Sequence, residues 1–423
     1  MTTDITTAKA MRHLRKTAIV LTTAVALTGS GAAAAAAETP LGTGAYGTSG
    51  SGPTMRDVAR LVLAAGAPGY VARIDDGRRV SATAAGVADR ATGRPLTARD
   101  QFEIGSNTKT FTAVLALQLI DRRQLQLDAP IEKYLPGLVP NGRNITVRML
   151  LSHTSGLFSY TADADFFASV NANPQHVHTE QELLDVAFRH EPNFAPGKGW
   201  SYSNTNYTVL GVLLRKLTGK SLPVLVQQRI TGPLGLKHTY FADPRATNTG
   251  VGYAHGYSVR FAGPEPIYTD ISNRPLGGFA GAAGAIISTP GELSRFFSSL
   301  LSGELISPRQ LKEMKTTVAL PETFGKGGYG LGLMRIDSPC GSVWGHGGDT
   351  LGHHSTAVTT GNGRRSAVSN TTANLGDGTP NEGVNRFIQV VTAADTVTIC
   401  HMLGRSAPGE VIKALHGGSM TTS

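Results

Sequence analysis

The chain has 423 residues, 40% of them hydrophobic and 16% charged, with a formal net charge of +9. This is a globular composition, long enough for one large domain or two modest ones, and it excludes a disordered or fibrous chain. No basic block with interleaved aromatics occurs, so nucleic acid is not an expected partner; the mild positive charge suits solubility or an anionic polymer.

At the N-terminus Arg12, Arg15 and Lys16 precede an apolar stretch, Thr17 to Thr28, and a small-residue tract ending Ala35-Ala36-Ala37 before Glu38. The apolar stretch is too short to span a bilayer, and the tract suits signal peptidase. Residues 1–37 are therefore expected to be a cleavable signal peptide, the alternative being a retained anchor. Without them the formal charge is about +6. No later segment approaches transmembrane length, so an exported protein without a stable membrane anchor is expected. Residues 38–53 read as a flexible Gly/Ser/Thr leader.

Met55, Val58, Leu61, Val62 and Ala65 repeat at helical spacing, with Gly66 as the stop. Tyr70 to Ile74 and Val80 to Val87 read as strands around the turn Asp75-Asp76-Gly77. Next comes Ser106-Asn107-Thr108-Lys109, the only Ser-x-x-Lys in the chain, heading a helix with the stripe Phe111, Val114, Leu115 and Leu119. A spacing of three on a helix puts both side chains on one face. Serine needs a neighbouring base to become a nucleophile, and a lysine made neutral by burial can be that base.

From about residue 128 to 274 the chain reads as helix and loop, punctuated by Pro and Gly. Within it Tyr202-Ser203-Asn204, the only Tyr-x-Asn, precedes an apolar helix from Val209 to Leu217 that ends at Gly219. A tyrosine hydroxyl can relay a proton, and an asparagine amide can hold a substrate amide. Near the end, Gly330 to Ile336, Ser342 to Trp344, Ser355 to Thr360 and Ser366 to Thr371 read as strands, with a hairpin signal at Gly361-Asn362-Gly363. His346-Gly347-Gly348 follows the second of these; glycines there let a substrate backbone lie along the strand, and an amide just beyond can donate to an oxyanion. Residues from about 380 to 396 suit a closing helix, and 403–423 a loose tail. Strands at both ends with helices between predict an α+β fold, one antiparallel sheet completed by both termini with a helical insertion. Cys340 and Cys400 are the only cysteines. An even count in an exported protein argues for one disulfide over two free thiols, stabilising by about 4 kcal/mol through the loop it closes.

Taken in order, the three motifs resemble those of the serine β-lactamase and penicillin-binding protein superfamily. The resemblance extends to Phe102-Glu103-Ile104-Gly105-Ser106, to Leu150-Leu151-Ser152-His153-Thr154-Ser155-Gly156-Leu157 and to Tyr329-Gly330-Leu331-Gly332-Leu333. It runs from about Val58 to Cys400, a hydrolase domain spanning 54–402. It is strongest to the class C-like branch of secreted actinomycete D-alanyl-D-alanine carboxypeptidases, through Gly86-Val87-Ala88-Asp89-Arg90-Ala91-Thr92-Gly93-Arg94 and the late cysteine pair. The fold so implied is β-lactamase/transpeptidase-like. The resemblance makes Ser106 the acylated nucleophile and Lys109 its base, and gives Tyr202 proton transfer to the leaving amine. It gives Asn204 the acyl-side amide, and the oxyanion to the backbone N–H groups of Ser106 and Asp349. Gly347 and Gly348 would border the substrate, and Phe166 and Phe279 the acyl pocket. His346 stands where many relatives carry lysine; a neutral imidazole there is expected to orient Tyr202 through a hydrogen bond.

Two positions depart from the carboxypeptidase pattern. Relatives use a hydroxyl residue and an arginine to hold a terminal carboxylate, where this chain has Gly347 and Met334, with Arg335 next to it and facing the other way. The leading expectation is a cofactor-independent carboxypeptidase-like serine hydrolase of D-amino-acid peptides, acylated by β-lactams and monomeric. The alternatives are a D-stereospecific endopeptidase, aminopeptidase or esterase, or a catalytically silent binder of wall peptides. His176-Val177-His178 and His353-His354 lack a carboxylate or thiolate partner at ligand spacing, so no metal is expected. Without Gly-x-Ser-x-Gly, an α/β-hydrolase elbow is not expected either.

Overall fold

The computed structural model describes residues 52–243, 252–376 and 379–417. The expected signal peptide and nearly all of the leader lie outside them. Nine strands form an antiparallel sheet: β1 (Gly69–Asp75), β2 (Val80–Asp89), β3 (Arg94–Pro95), β4 (Val318–Ala319), β5 (Gly327–Tyr329), β6 (Met334–Ser338), β7 (Gly341–Asp349), β8 (His354–Thr359) and β9 (Ser366–Thr371). The spatial order is β3-β2-β1-β9-β8-β7-β6-β5-β4, so β1 pairs with β9 and the two ends of the chain close one sheet.

Helices cover both faces. The amphipathic α1 (Met55–Ala64) begins in a capping box between Thr54 and Asp57, and turns Val58, Ala59 and Val62 inward. It packs with α8 (Glu382–Leu403) and α9 (Gly409–Leu415), which bury Val391, Val397, Val411 and Leu415. On the other side lie α2 (Thr108–Asp121) and α7 (Pro290–Leu301), where the rings of Phe111 and Phe296 stack with centroids 3.5 Å apart. The expected stripe on α2 understates its burial, since Ala113, Ala116 and Leu117 are buried as well. A helix apolar on every side belongs in the centre of a domain, and the turn that leads into this one carries the candidate nucleophile.

Between the sheet's two halves the chain is largely helical, including α3 (Ala164–Ala172), α4 (Glu180–Phe188), α5 (Asn204–Thr218) and α6 (Gly277–Gly284). Three expectations about elements change. The insertion contains a hairpin, Tyr257–Ala262 with Glu265–Asp270, whose first strand runs parallel to Ala373–Leu375. The single strand expected over 330–336 is a turn, 330–333, followed by the first residues of β6; in that turn Gly330 and Gly332 press against the Met314 carbonyl and α2 too closely for any Cβ. Within the loose tail expected over 403–423, the described residues include α9, with Val411, Ala414 and Leu415 in the core, and 418–423 lie outside the described residues. Cys340 and Cys400 are joined, their Cα atoms 5.2 Å apart, tying the β6–β7 turn to α8.

Candidate active site

Ser106 sits in a single 3-10 turn, Gly105–Asn107, that runs straight into α2. Gly105 has φ +51°, and a Cβ there would lie 2.7 Å from the backbone of Asp349. A Cβ on Gly348 would lie 1.9 Å from the Ile104 carbonyl oxygen. These two glycines let the end of β7 close onto the serine turn, so the backbones of Ser106 and Asp349 meet at the floor of one cleft. Lys109, one turn along α2, is fully buried. Its Nζ lies 2.8 Å from Ser106 Oγ and donates to the Ala283 carbonyl at 2.8 Å. Burial holds this amine well below its ordinary pKa, against the opposing pull of Asp349. A neutral amine at that distance has a lone pair for the serine proton.

Tyr202 lies just before α5 and lines the cleft with Ser106, the Lys109 amine 4.8 Å from its ring centre. Burial keeps this phenol protonated well above its usual range, so it is a proton donor at neutral pH. Asn204 opens α5 and donates from Nδ2 to Thr161 Oγ1 at 2.9 Å, while its buried Oδ1 has no protein partner. A buried acceptor left open in this way is ready for a substrate N–H.

His346 does not contact the Tyr202 hydroxyl as expected. Its Nε2 lies 2.9 Å from Tyr329 Oη, and its Nδ1 2.6 Å from the Gly347 carbonyl. Tyr329 in turn lies 3.2 Å from Nε2 of His153, whose Nδ1 accepts from the Ser203 backbone N–H and from Asn206 Nδ2. The donors and acceptors fix every proton. His153 Nε2–H donates to Tyr329, Tyr329 donates to His346 Nε2, and His346 Nδ1–H donates to Gly347. Both nitrogens of His346 are thereby occupied. Burial, and secondarily Lys109, push its pKa down to about 3, so it is neutral. Motif reading missed His153 and Tyr329 as members of the site. Both fall in stretches that carry the resemblance, but His153 comes inward only because it adopts φ +61°.

The cleft, about 220 Å³, is lined by Ser106, Tyr202, Asn204, His346, Gly347 and Asp349 together with apolar side chains, among them Phe279, Phe324, Met334 and Leu351. Phe279 is where it was expected. Phe166 is not: third in α3, it is 3% exposed and packs behind the wall with Tyr160, Val170 and Leu183, leaving its neighbour Phe167 to face the cleft. Gly348 does not line the cleft either, being pressed against Ile104. Arg335 turns away to Asp337 at 2.9 Å, as strand alternation requires. Asp349 is the only charged side chain in the described lining. Its Oδ1 accepts from His354 Nδ1 at 2.8 Å and from Asn374 Nδ2 at 3.2 Å, and His354 Nε2 reaches Asp395 Oδ2 at 3.0 Å. Burial opposes a charge on His354, but the two carboxylates outweigh it and hold its pKa well above the usual value.

The chain matches the Beta-lactamase family over residues 56–392. It is 30% identical over 280 residues to "Penicillin-binding protein 4*" of Bacillus subtilis, covering 63% of this chain and 60% of that one. To "Esterase EstB" of Burkholderia gladioli it is 31% identical over 213 residues, 48% of this chain and 52% of that one. The chain thus spans between half and two thirds of the length of these curated relatives. Among solved structures, a D-stereospecific amidohydrolase from Streptomyces superposes with a TM-score of 0.72 at 36% identity, covering 82% of this chain and 99% of that one. D-amino acid amidase from Ochrobactrum anthropi SV3 superposes with a TM-score of 0.69 at 25% identity, with the same coverage.

Proposed function

The chain belongs to the beta-lactamase family, and from that premise we propose that it is a serine hydrolase opening amides or esters of D-amino acids through an acyl-enzyme on Ser106. In this reading Lys109 takes the serine proton as Oγ attacks, and Tyr202 hands a proton to the leaving group. The N–H groups of Ser106 and Asp349 receive the oxyanion, and Asn204 Oδ1 accepts from the acyl-side amide. Water then retraces the path to free the acid.

The observation that carries the choice of substrate is the charge of the cleft. Its described lining contains no Arg or Lys, and its one charged side chain is the carboxylate of Asp349. A substrate ending in a free carboxylate would find no cation at Met334 or Gly347 and would forgo a charge-assisted pair of about 1.5–3 kcal/mol. Uncharged amide and ester leaving groups meet no such penalty. The D-stereospecific amidohydrolase and the D-amino acid amidase, matched along nearly their whole length, favour the same reading. It replaces the carboxypeptidase expected from the motifs.

The test is a panel in which D-phenylalanine amide and methyl ester compete with peptides ending in free D-Ala-D-Ala, alongside intact-mass measurement after exposure to a penicillin. Amide or ester turnover that disappears in Ser106→Ala is expected, as is a single penicillin adduct absent from that variant. A strong preference for the free carboxylate would restore the carboxypeptidase. Peptide binding with no acylation of wild type would instead make the protein a silent binder.

We further propose export with cleavage after Ala37, which N-terminal sequencing of the secreted protein checks, and a monomeric state. Among the described residues no helix is long and apolar enough to cross a membrane.

A further inference from the structure

Beside the cleft the fold assembles a set of metal-ligating side chains that motif reading set aside. His176 and His178 lie on the segment between α3 and α4, and the carboxylate they lacked in sequence is Glu182, in the first turn of α4. The three residues bring one ligand atom each to within 4.8 Å of the others. The sequence hid this partner because the chain bends at Thr179, the cap of α4, and folds the helix's first turn back beside the two histidines.

We propose that His176, His178 and Glu182 bind a borderline divalent transition metal ion, Zn²⁺ above all, at the rim of the cleft. Two imidazoles and one carboxylate form a donor set suited to Zn²⁺, with a fourth position left to water. Hard Ca²⁺ and Mg²⁺ prefer all-oxygen shells and fit poorly. Bonds of about 2.1 Å in a tetrahedron set ligand atoms about 3.4 Å apart, within reach of small side-chain rotations.

Two of the ligands are also held from behind. Glu182 Oε2 accepts from the Thr179 backbone N–H at 2.6 Å and from Thr179 Oγ1 at 3.0 Å, which turns Oε1 toward His176 Nε2 at 3.3 Å. The His178 ring rests against Phe166 with centroids 5.1 Å apart. Such outer contacts orient metal ligands and raise affinity. In the second candidate cluster, Asp89, His255 and Asp270, both oxygens of Asp89 hold the Ala91–Thr92 turn and His255 donates to Asp270.

The site adjoins the wall of the cleft. A Cβ on Gly278 would lie 3.1 Å from Val177 Cα, and Phe166 meets both the His178 ring and that of Phe279, which lines the cleft. A bound ion would tie this segment to α4 and stiffen that wall.

The test is Zn²⁺ titration of the untagged protein against a chromophoric chelator, with melting curves taken with and without metal. One equivalent of Zn²⁺ per chain and a raised melting temperature are expected, with no response to Mg²⁺ or Ca²⁺. His176→Ala/His178→Ala should lose that equivalent. Glu182→Gln, which keeps the capping pattern, should weaken binding roughly tenfold or more at an unchanged metal-free melting temperature. No saturable binding by wild type, or the same stoichiometry and affinity in the double histidine variant, would overturn the proposal.

Discussion

Lys109 is the buried amine on which the proposed chemistry turns. Its Nζ contacts the serine hydroxyl and a carbonyl and faces two tyrosine rings, and burial lowers its pKa well below the ordinary value. Lys109→Met preserves the volume and removes the base, so acylation should fall by about 10²–10⁴-fold with little change in melting temperature. The pH profile of wild-type acylation should be flat across neutral and mildly alkaline pH. A rate still climbing toward 10.5, the ordinary lysine value, would show that the amine is not depressed. Tyr329 makes a different kind of contribution. Its hydroxyl both accepts from His153 and donates to His346, so Tyr329→Phe strands two buried imidazole nitrogens at about 1–3 kcal/mol each. Stability should drop measurably in denaturant titrations and turnover should fall with it; a variant as stable as wild type would remove the relay.

At the scale of elements, the end of β7 sets the site by how closely it approaches the serine turn. Gly105→Ala demands both a positive φ and a Cβ inside the Asp349 backbone, so it should abolish acylation even where the protein still folds. Gly347→Thr is the opposite case. The nearest atom to a Cβ there is the Ser355 carbonyl at 3.9 Å, so a side chain fits and its hydroxyl reaches into the cleft. The variant should retain its melting temperature and gain rate on free-carboxylate substrates relative to amides by severalfold up to about a hundredfold, the value of one charge-assisted hydrogen bond. An unchanged ratio would mean that position 347 does not govern carboxylate preference. Six of the nine sheet strands were legible in rough place, because alternation and the Gly361-Asn362-Gly363 turn are local signals, whereas β3, β4 and β5, two or three residues each, are too short to show a pattern. The hairpin Tyr257–Ala262/Glu265–Asp270 was not legible. Its second strand is mostly exposed, with a Pro in it, and owes its place to neighbours that local pattern does not report.

For the whole molecule, buried histidines make stability depend on pH in two directions. His346 and His353 are neutral in the fold, pushed by burial from 6.5 to about 3 and about 4. Unfolded, each takes a proton below 6.5, so their contribution is intact above that pH and is lost as pH falls through the folded values. His354 has the opposite sign: held charged by Asp349 and Asp395 against the cost of burial, it contributes fully below 6.5 and fades as pH rises through its raised value. Melting temperature should therefore fall progressively on acidification from pH 6.5 toward 4; a flat profile there would contradict the neutral assignments.

The sequence by itself determined the family, the antiparallel sheet shared by both ends of the chain and the cysteine pair, and it singled out Ser106 and Lys109 as candidate nucleophile and base, because each is written in local motifs or in two-residue and 3.6-residue periods. It also marked Gly347 and Met334 as departures, since the absence of a side chain or a charge needs no coordinates. Tertiary structure alone decided the rest. It chose Phe167 over Phe166 for the cleft, since the rotation of α3 depends on what it packs against. It gave His346 to Tyr329 instead of Tyr202, since the positive φ of His153 completes that chain of hydrogen bonds. It brought Glu182 to two histidines that stood alone in the sequence. Local pattern specifies which residues exist; only packing at a distance specifies which atoms meet.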